Sequence, residues 1–161
     1  MNTPFLRICA VMISLALHGC VATPVSEDIP SGAAAQSSVT FGDGEKNWIV
    51  ADDVTRNGAR FTFSEVHIQN NGWLVLHPFK DGKPVGEIYA GATYISSGTN
   101  TNVEISIAQA PAPGTMFLVM LHQDVNENRA FDFVFVDERN VLDEAVFEGN
   151  KMISHVFATP E

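Results

Sequence analysis

The sequence predicts an all-β domain, an antiparallel two-sheet immunoglobulin-like sandwich of about 7–8 strands. Three observations carry that expectation. From residue 41 onward, short segments rich in aromatic and β-branched residues recur, several of them alternating at period two. Clusters of Gly, Asn, Asp and Pro punctuate them at "QNNG", "KDGKP", "SSGTNTN" and "PAPGT". A helical period is weak throughout. Only "DERNVLDEAVFEGN" places Val141, Leu142, Ala145 and Val146 at helical spacing, which suits a short helical turn.

Taken in order, "KNWIVADDV" reads as the first strand and "ARFTFSEVHI" as the second, with Phe61 and Phe63 on one side. "QNNG" (Gln69 to Gly72) is a turn signal that predicts a β-hairpin joining the second strand to "WLVLHPF". Asp81-Gly82 centres the next turn. "VGEIYAGATYI" reads as a strand and "SSGTNTN" as a polar loop. In "VEISIA", Val103, Ile105 and Ile107 alternate with Glu104 and Ser106, so one face is buried and one is wet. "MFLVMLH" is apolar at nearly every position, the pattern of a central strand covered on both faces. "FDFVFV" and "KMISHVFA" read as the last two strands.

The N-terminal residues carry a different signal. Residues 1–19 read as a lipoprotein signal peptide: Arg7 precedes an apolar run from Ile8 to Leu17, too short to span a bilayer as a helix. The run ends in "LHGC", which resembles a lipobox in which Cys20 becomes the lipidated N-terminus; His18 departs from the usual small or β-branched residue. The chain has two cysteines, and Cys9 lies inside the removed segment. Acylation of Cys20 would then leave no free thiol in an oxidising compartment. The alternative is an ordinary cleaved signal peptide with an incidental cysteine. Val21, rather than Asp, follows Cys20, so outer-membrane anchoring is expected. Residues 20–40, rich in Ala, Ser, Pro and Thr, read as a flexible tether, and residues 41–161 as the β-sandwich domain.

Charge restricts the partners. The chain has 9 Lys+Arg against 19 Asp+Glu. It has no basic stripe, which argues against a nucleic-acid partner. The remaining expectation is a membrane contact through Cys20 and an envelope protein or polymer as partner.

One stretch holds the best candidate site. "HQDVNENRAFDF" sets Asp124, Asn126, Asn128 and Asp132 at positions one, three, five and nine of an EF-hand-like loop, with Ala130 offering a carbonyl at seven. Calcium takes six to eight hard oxygens from such alternating positions. Against this, position six wants Gly and has Arg129, and position twelve wants Glu and has Phe135. Asp137 or Glu138 is the nearest replacement carboxylate. The rival reading is a hairpin-type connection stiffened by Asx turns, in which Asp and Asn side chains accept from nearby backbone amides. His77 and His122 each close a strongly apolar strand; side by side they would suit zinc or copper. Either could equally hydrogen-bond a loop backbone. His67 and His155 lie in other strands. No nucleophile elbow, His-Glu-x-x-His, phosphate loop or dinucleotide fingerprint occurs, so a non-catalytic module is expected.

The order of these pieces resembles an uncharacterised domain family of secreted and surface proteins of haloarchaea and some bacteria, over about residues 48–157. The carriers are "GWLVLH", "VGEIYAGATYISSGTNTNVEISI" and above all "LVMLHQDVNENRAFDF". The family's third block runs His-x-Asp-x-Asn-x-Asn, then an aromatic, Asp and Phe, which His122 to Phe133 follow; Glu127 and Arg129 depart from its glycine-containing form. The resemblance implies a β-sandwich module on an exported protein and brings no catalytic residues with it.

Overall fold

The computed structural model describes residues 38–136, 139–140 and 142–161. The signal segment, Cys20 and most of the tether lie outside the described residues, as do Asp137 and Glu138.

The described residues are all β, in two main sheets that pack face to face. The smaller sheet holds β2 (Trp48–Ile49), β3 (Thr55–Asn57), β4 (Arg60–Ile68) and β8 (Gly98–Ser106), with β4 at its centre. The larger sheet is built around β5 (Gly72–Lys80) and β9 (Met116–Asp124), which pair antiparallel from Gly72↔Gln123 to Pro78↔Phe117. β6 (Lys83–Pro84) and β7 (Gly91–Ile95) pair with β5. β14 (Lys151–Ala158) pairs with the first half of β9, and β12 (Asp143–Ala145) with its last three residues. β1 (Thr40–Gly42) runs parallel to β14, and β13 (Phe147–Glu148) folds back on it. β10 (Phe135–Val136) and β11 (Arg139–Asn140) form a separate two-stranded ladder.

Period-two alternation, broken in β4 by one irregular step between Phe63 and Val66, explains the core between the sheets. Phe61, Phe63, Val66 and Ile68 of β4 and Val103 and Ile105 of β8 face Leu74 and Leu76 of β5, Val119 and Leu121 of β9, and Ile153 and Phe157. Phe61 meets Phe117 and Phe157 edge-on, with ring centroids 5.6 and 5.7 Å apart. Such pairs add roughly 0.5–1.5 kcal/mol beyond area burial. The expected central strand is also present: Phe117 to His122 are all buried.

Several expectations need correction. "QNNG" does not close a hairpin: β4 and β5 lie in different sheets, so this turn carries the chain across the core. Both strands have a buried apolar face, and facing sheets bury both of them. "SSGTNTN" is not a loop; from Gly98 it is the first half of β8, paired with β4 from Ile68↔Gly98. Its polar residues are tolerated because this sheet's outer face is wet. "VGEIYAGATYI" is strand only from Gly91. "FDFVFV" is strand only at Phe135–Val136; Val141 of the expected helical turn lies outside the described residues, and among those described in that region β11, β12 and β13 form strands in place of a helix. The Asp81-Gly82 turn is as expected: both residues have positive φ (52° and 74°), as a two-residue hairpin loop between β5 and β6 requires.

Gly72 opens β5 where the strand passes closest to β9; a Cβ there would collide with the His122 carbonyl oxygen. Gly72→Ala should therefore cost about 1–3 kcal/mol by forcing the two central strands apart. Chemical denaturation would show this as a lower midpoint with unchanged m-value.

Candidate functional site

The face of β5 and β9 turned away from the core is also buried. By register, Trp73, Val75 and His77 lie beside His122, Met120 and Leu118 on that face. All six are buried. Their cover comes from the segments after β6 and after β9. Phe131 packs on Trp73 at 5.4 Å and edge-on to His122 at 5.6 Å, while Phe133 lies 5.8 Å from His77. Tyr89 closes against both phenylalanines at 5.0 and 5.3 Å. The period-two spacing of Phe131 and Phe133 thus serves an aromatic cover rather than a ladder strand.

Under this cover the two histidines meet. His77 Nε2 and His122 Nε2 are 3.4 Å apart. Each ring's other nitrogen faces a backbone carbonyl: Nδ1 of His77 donates to Ile88 O at 2.8 Å, and Nδ1 of His122 to Asp143 O at 2.7 Å. A carbonyl only accepts, so both Nδ1 atoms carry the proton and neutral rings present bare Nε2 lone pairs to each other. Burial lowers both basicities. That of His122 falls to about 4, because burial disfavours its charge more than the Asp143 carbonyl favours it, and His77 adds repulsion. The other histidines do not join them: His67 stacks on Trp48 at 4.0 Å, and His155 bonds Asp43 at 2.8 Å.

The loop after β9 carries the four oxygen-ligand candidates. Asp124 is buried, and its Oδ2 accepts the Arg129 amide at 3.0 Å. Asn126 Oδ1 accepts from the Asn128 amide at 3.2 Å, and Asn128 Oδ1 from the Ala130 amide at 2.7 Å. Both Asn side-chain amides donate to Asp132 Oδ2, at 2.9 and 2.6 Å. These bonds hold the Asp132 carboxylate in its charged form, below the usual range. The expected Asx turns are therefore present, although β9 is not followed by a hairpin partner; the strand that pairs beside the loop is β12. Arg129, at the position where an EF-hand-like loop uses Gly, adopts φ 59° all the same, and Glu127 adopts 56°. Each costs about 1–2 kcal/mol in a non-glycine residue. The Arg129 guanidinium lies over the Tyr94 ring at 5.4 Å.

Asp143 carries no distinguishing signal in the sequence. It sits directly opposite Asp124 in the β12–β9 pair and is fully buried. Its Oδ2 accepts the Asp132 amide, and its own carbonyl orients His122. Burial raises its carboxyl's affinity for a proton, and the Asp124 and Asp132 charges raise it further, against the Asp132 amide. The Trp73 indole faces the same carboxyl in a contact that falls short of hydrogen-bond geometry. One oxygen of this region has no partner: Asp124 Oδ1 is buried and unbonded. Among the described residues, no three His, Cys, Asp or Glu side chains converge to hold an ion unaided. A calcium ion here would draw on Asp124, Asp143 and neutral oxygens of the loop, which calcium accepts readily.

A family model described as Domain of unknown function (DUF7282) matches residues 47–158. No curated protein and no solved structure matches the chain.

The buried rings generate a pH prediction. In metal-free protein, the His122 imidazole should stay neutral well below pH 6.5 and take up its proton only at about pH 4. Its folded-state pKa lies below the unfolded value, so its contribution to stability is complete above the unfolded pKa and is lost as pH falls toward the folded one. Imidazole NMR shifts followed between pH 7 and pH 4 would read the titration directly.

Proposed function

We propose a non-catalytic binding role for this chain, which belongs to the DUF7282 family. On this reading it is an envelope lipoprotein, held to the outer membrane through acylated Cys20, that displays its β-sandwich to an envelope protein or polymer. Calcium at Asp124, Asp143 and the Asn126–Asp132 loop fixes the shape of one end. The single observation that carries the ion is the Asp124 carboxylate: it is buried beside a second buried carboxyl, with one oxygen on the Arg129 amide and the other without a partner. Like charges opposite one another in a strand pair repel, and a dry setting strengthens the repulsion. Protonation of Asp143 relieves it at low pH; a hard divalent cation relieves it at neutral pH and also occupies the unbonded oxygen.

Surface chemistry supports the binding role. Ile88, Tyr89 and Val134 stand exposed in the segments that carry the aromatic cover. An ion that orders the loop therefore also shapes an apolar contact surface on an otherwise acidic protein. The tether composition after Cys20 suits a domain held away from the membrane.

Thermal unfolding of the detergent-solubilised full chain, with EDTA or with millimolar calcium, tests the ion. A rise on the order of 5 °C with calcium is expected, absent in Asp124→Asn and in Asp143→Asn. Equal midpoints in calcium and EDTA would sink the reading. Anchoring is checked separately by fractionation: Cys20→Ser should move the chain from the membrane pellet to the soluble fraction, and unchanged partitioning would count against lipidation.

A further inference from the structure

We propose that His77 and His122 form a binding site for a late first-row transition ion, zinc or copper, held between their two Nε2 atoms. The site is distinct from the calcium loop and takes a different class of ion. Tautomer logic comes first. Both Nδ1 atoms are committed as donors to the Ile88 and Asp143 carbonyls, so both Nε2 atoms are bare in the neutral rings. Carbonyl-oriented imidazoles of this kind are the usual outer support of metal-binding histidines, because the Nδ1 bond fixes ring rotation and raises the basicity of Nε2.

Distance then separates an ion from a shared proton. The Nε2 atoms are 3.4 Å apart. An N–H bridge at this separation would be long and weak, and with both Nδ1 atoms protonated it would need an extra proton on one ring. Two metal–nitrogen bonds of about 2.0–2.1 Å span this separation at an angle of about 110°, the angle of a tetrahedral site. Two imidazoles leave two tetrahedral positions for water or for a donor from another molecule. An incomplete set of protein ligands suits an ion that is held and passed on more than one locked in permanently. Imidazole nitrogens also discriminate: they suit zinc and copper and are poor ligands for calcium, so the two neighbouring sites need not compete.

Both histidines are buried, His77 fully and His122 at 2% exposure, beneath Phe131, Phe133 and Tyr89. The apolar cover keeps bulk water from the metal-free pair, so the two further donors enter with the ion. It also lies in the segment that the Asp124–Asp132 loop begins, so the calcium reading and this site are neighbours that separate variants can tell apart.

The test uses the full chain in detergent, stripped with EDTA, then exposed in turn to zinc(II), copper(II) and, without oxygen, copper(I). Metal retained after desalting is measured together with the imidazole 15N shifts of His77 and His122. One zinc or copper per chain is expected, with both Nε2 signals displaced and both Nδ1 protons kept. His77→Gln should lose that ion but keep the calcium-induced rise in melting temperature, whereas Asp124→Asn should lose the calcium effect and keep the zinc or copper. Retention of no transition ion, equal retention by His77→Gln, or 15N shifts showing one proton shared between the rings would overturn the proposal. Should His77→Gln fail to fold, the 15N shifts of the unmodified chain decide alone.

Discussion

The structure depends on one strand being buried on both faces. β9 packs Phe117, Val119 and Leu121 against the smaller sheet, and its alternate residues Leu118, Met120 and His122 are buried as well. A two-layer sandwich covers only the first set. The second set obliges the chain to fold two connecting segments over the outer face of β5 and β9, where Tyr89, Phe131 and Phe133 do the covering. Polar groups caught beneath such a cover cannot rely on water, so each must find a partner within the protein or in a bound ion. His77 and His122 are the groups so caught, and Asp124 and Asp143 are buried beside the same loop.

A single short stretch meets both demands. Phe131 and Phe133 point onto the histidines, while Asp132 between them turns to Asn126 and Asn128. Asp143 joins the two halves, since its carbonyl orients His122 and its carboxyl receives the Asp132 amide. Two backbone residues without glycine's freedom, Glu127 and Arg129, take positive φ to make the loop close. Strain of this kind persists where surrounding bonds over-determine it, and here the Arg129 amide is fixed on Asp124.

The amino-acid sequence carries much of this. Alternation placed Phe61, Phe63, Val103 and Ile105 in the core, and the uniform apolarity of "MFLVMLH" marked the doubly covered strand. The Asx turns followed from the Asp and Asn spacing, and His77 and His122 do meet. The misreadings share a cause: local turn chemistry says that the chain reverses, not which sheet it enters next. "QNNG" therefore looked like a hairpin and is a crossover, and "SSGTNTN" looked like a loop because its strand has one wet face. Asp143 was hidden for a related reason. Its role comes from pairing across β12 and β9, and nothing in "VLDEAV" distinguishes it from Glu144, which is exposed.

On the proposed reading, a hard cation satisfying Asp124 and Asp143 orders the loop that begins at the end of β9. Amide hydrogen exchange on the full chain addresses it most directly, because the amides of Arg129, Ala130 and Asp132 are the ones bonded to the candidate ligands. With millimolar calcium these amides should exchange markedly more slowly than in EDTA, with β4 and β8 unchanged. Identical exchange in calcium and in EDTA would rule out an ion at this loop and leave it held by its Asx turns alone.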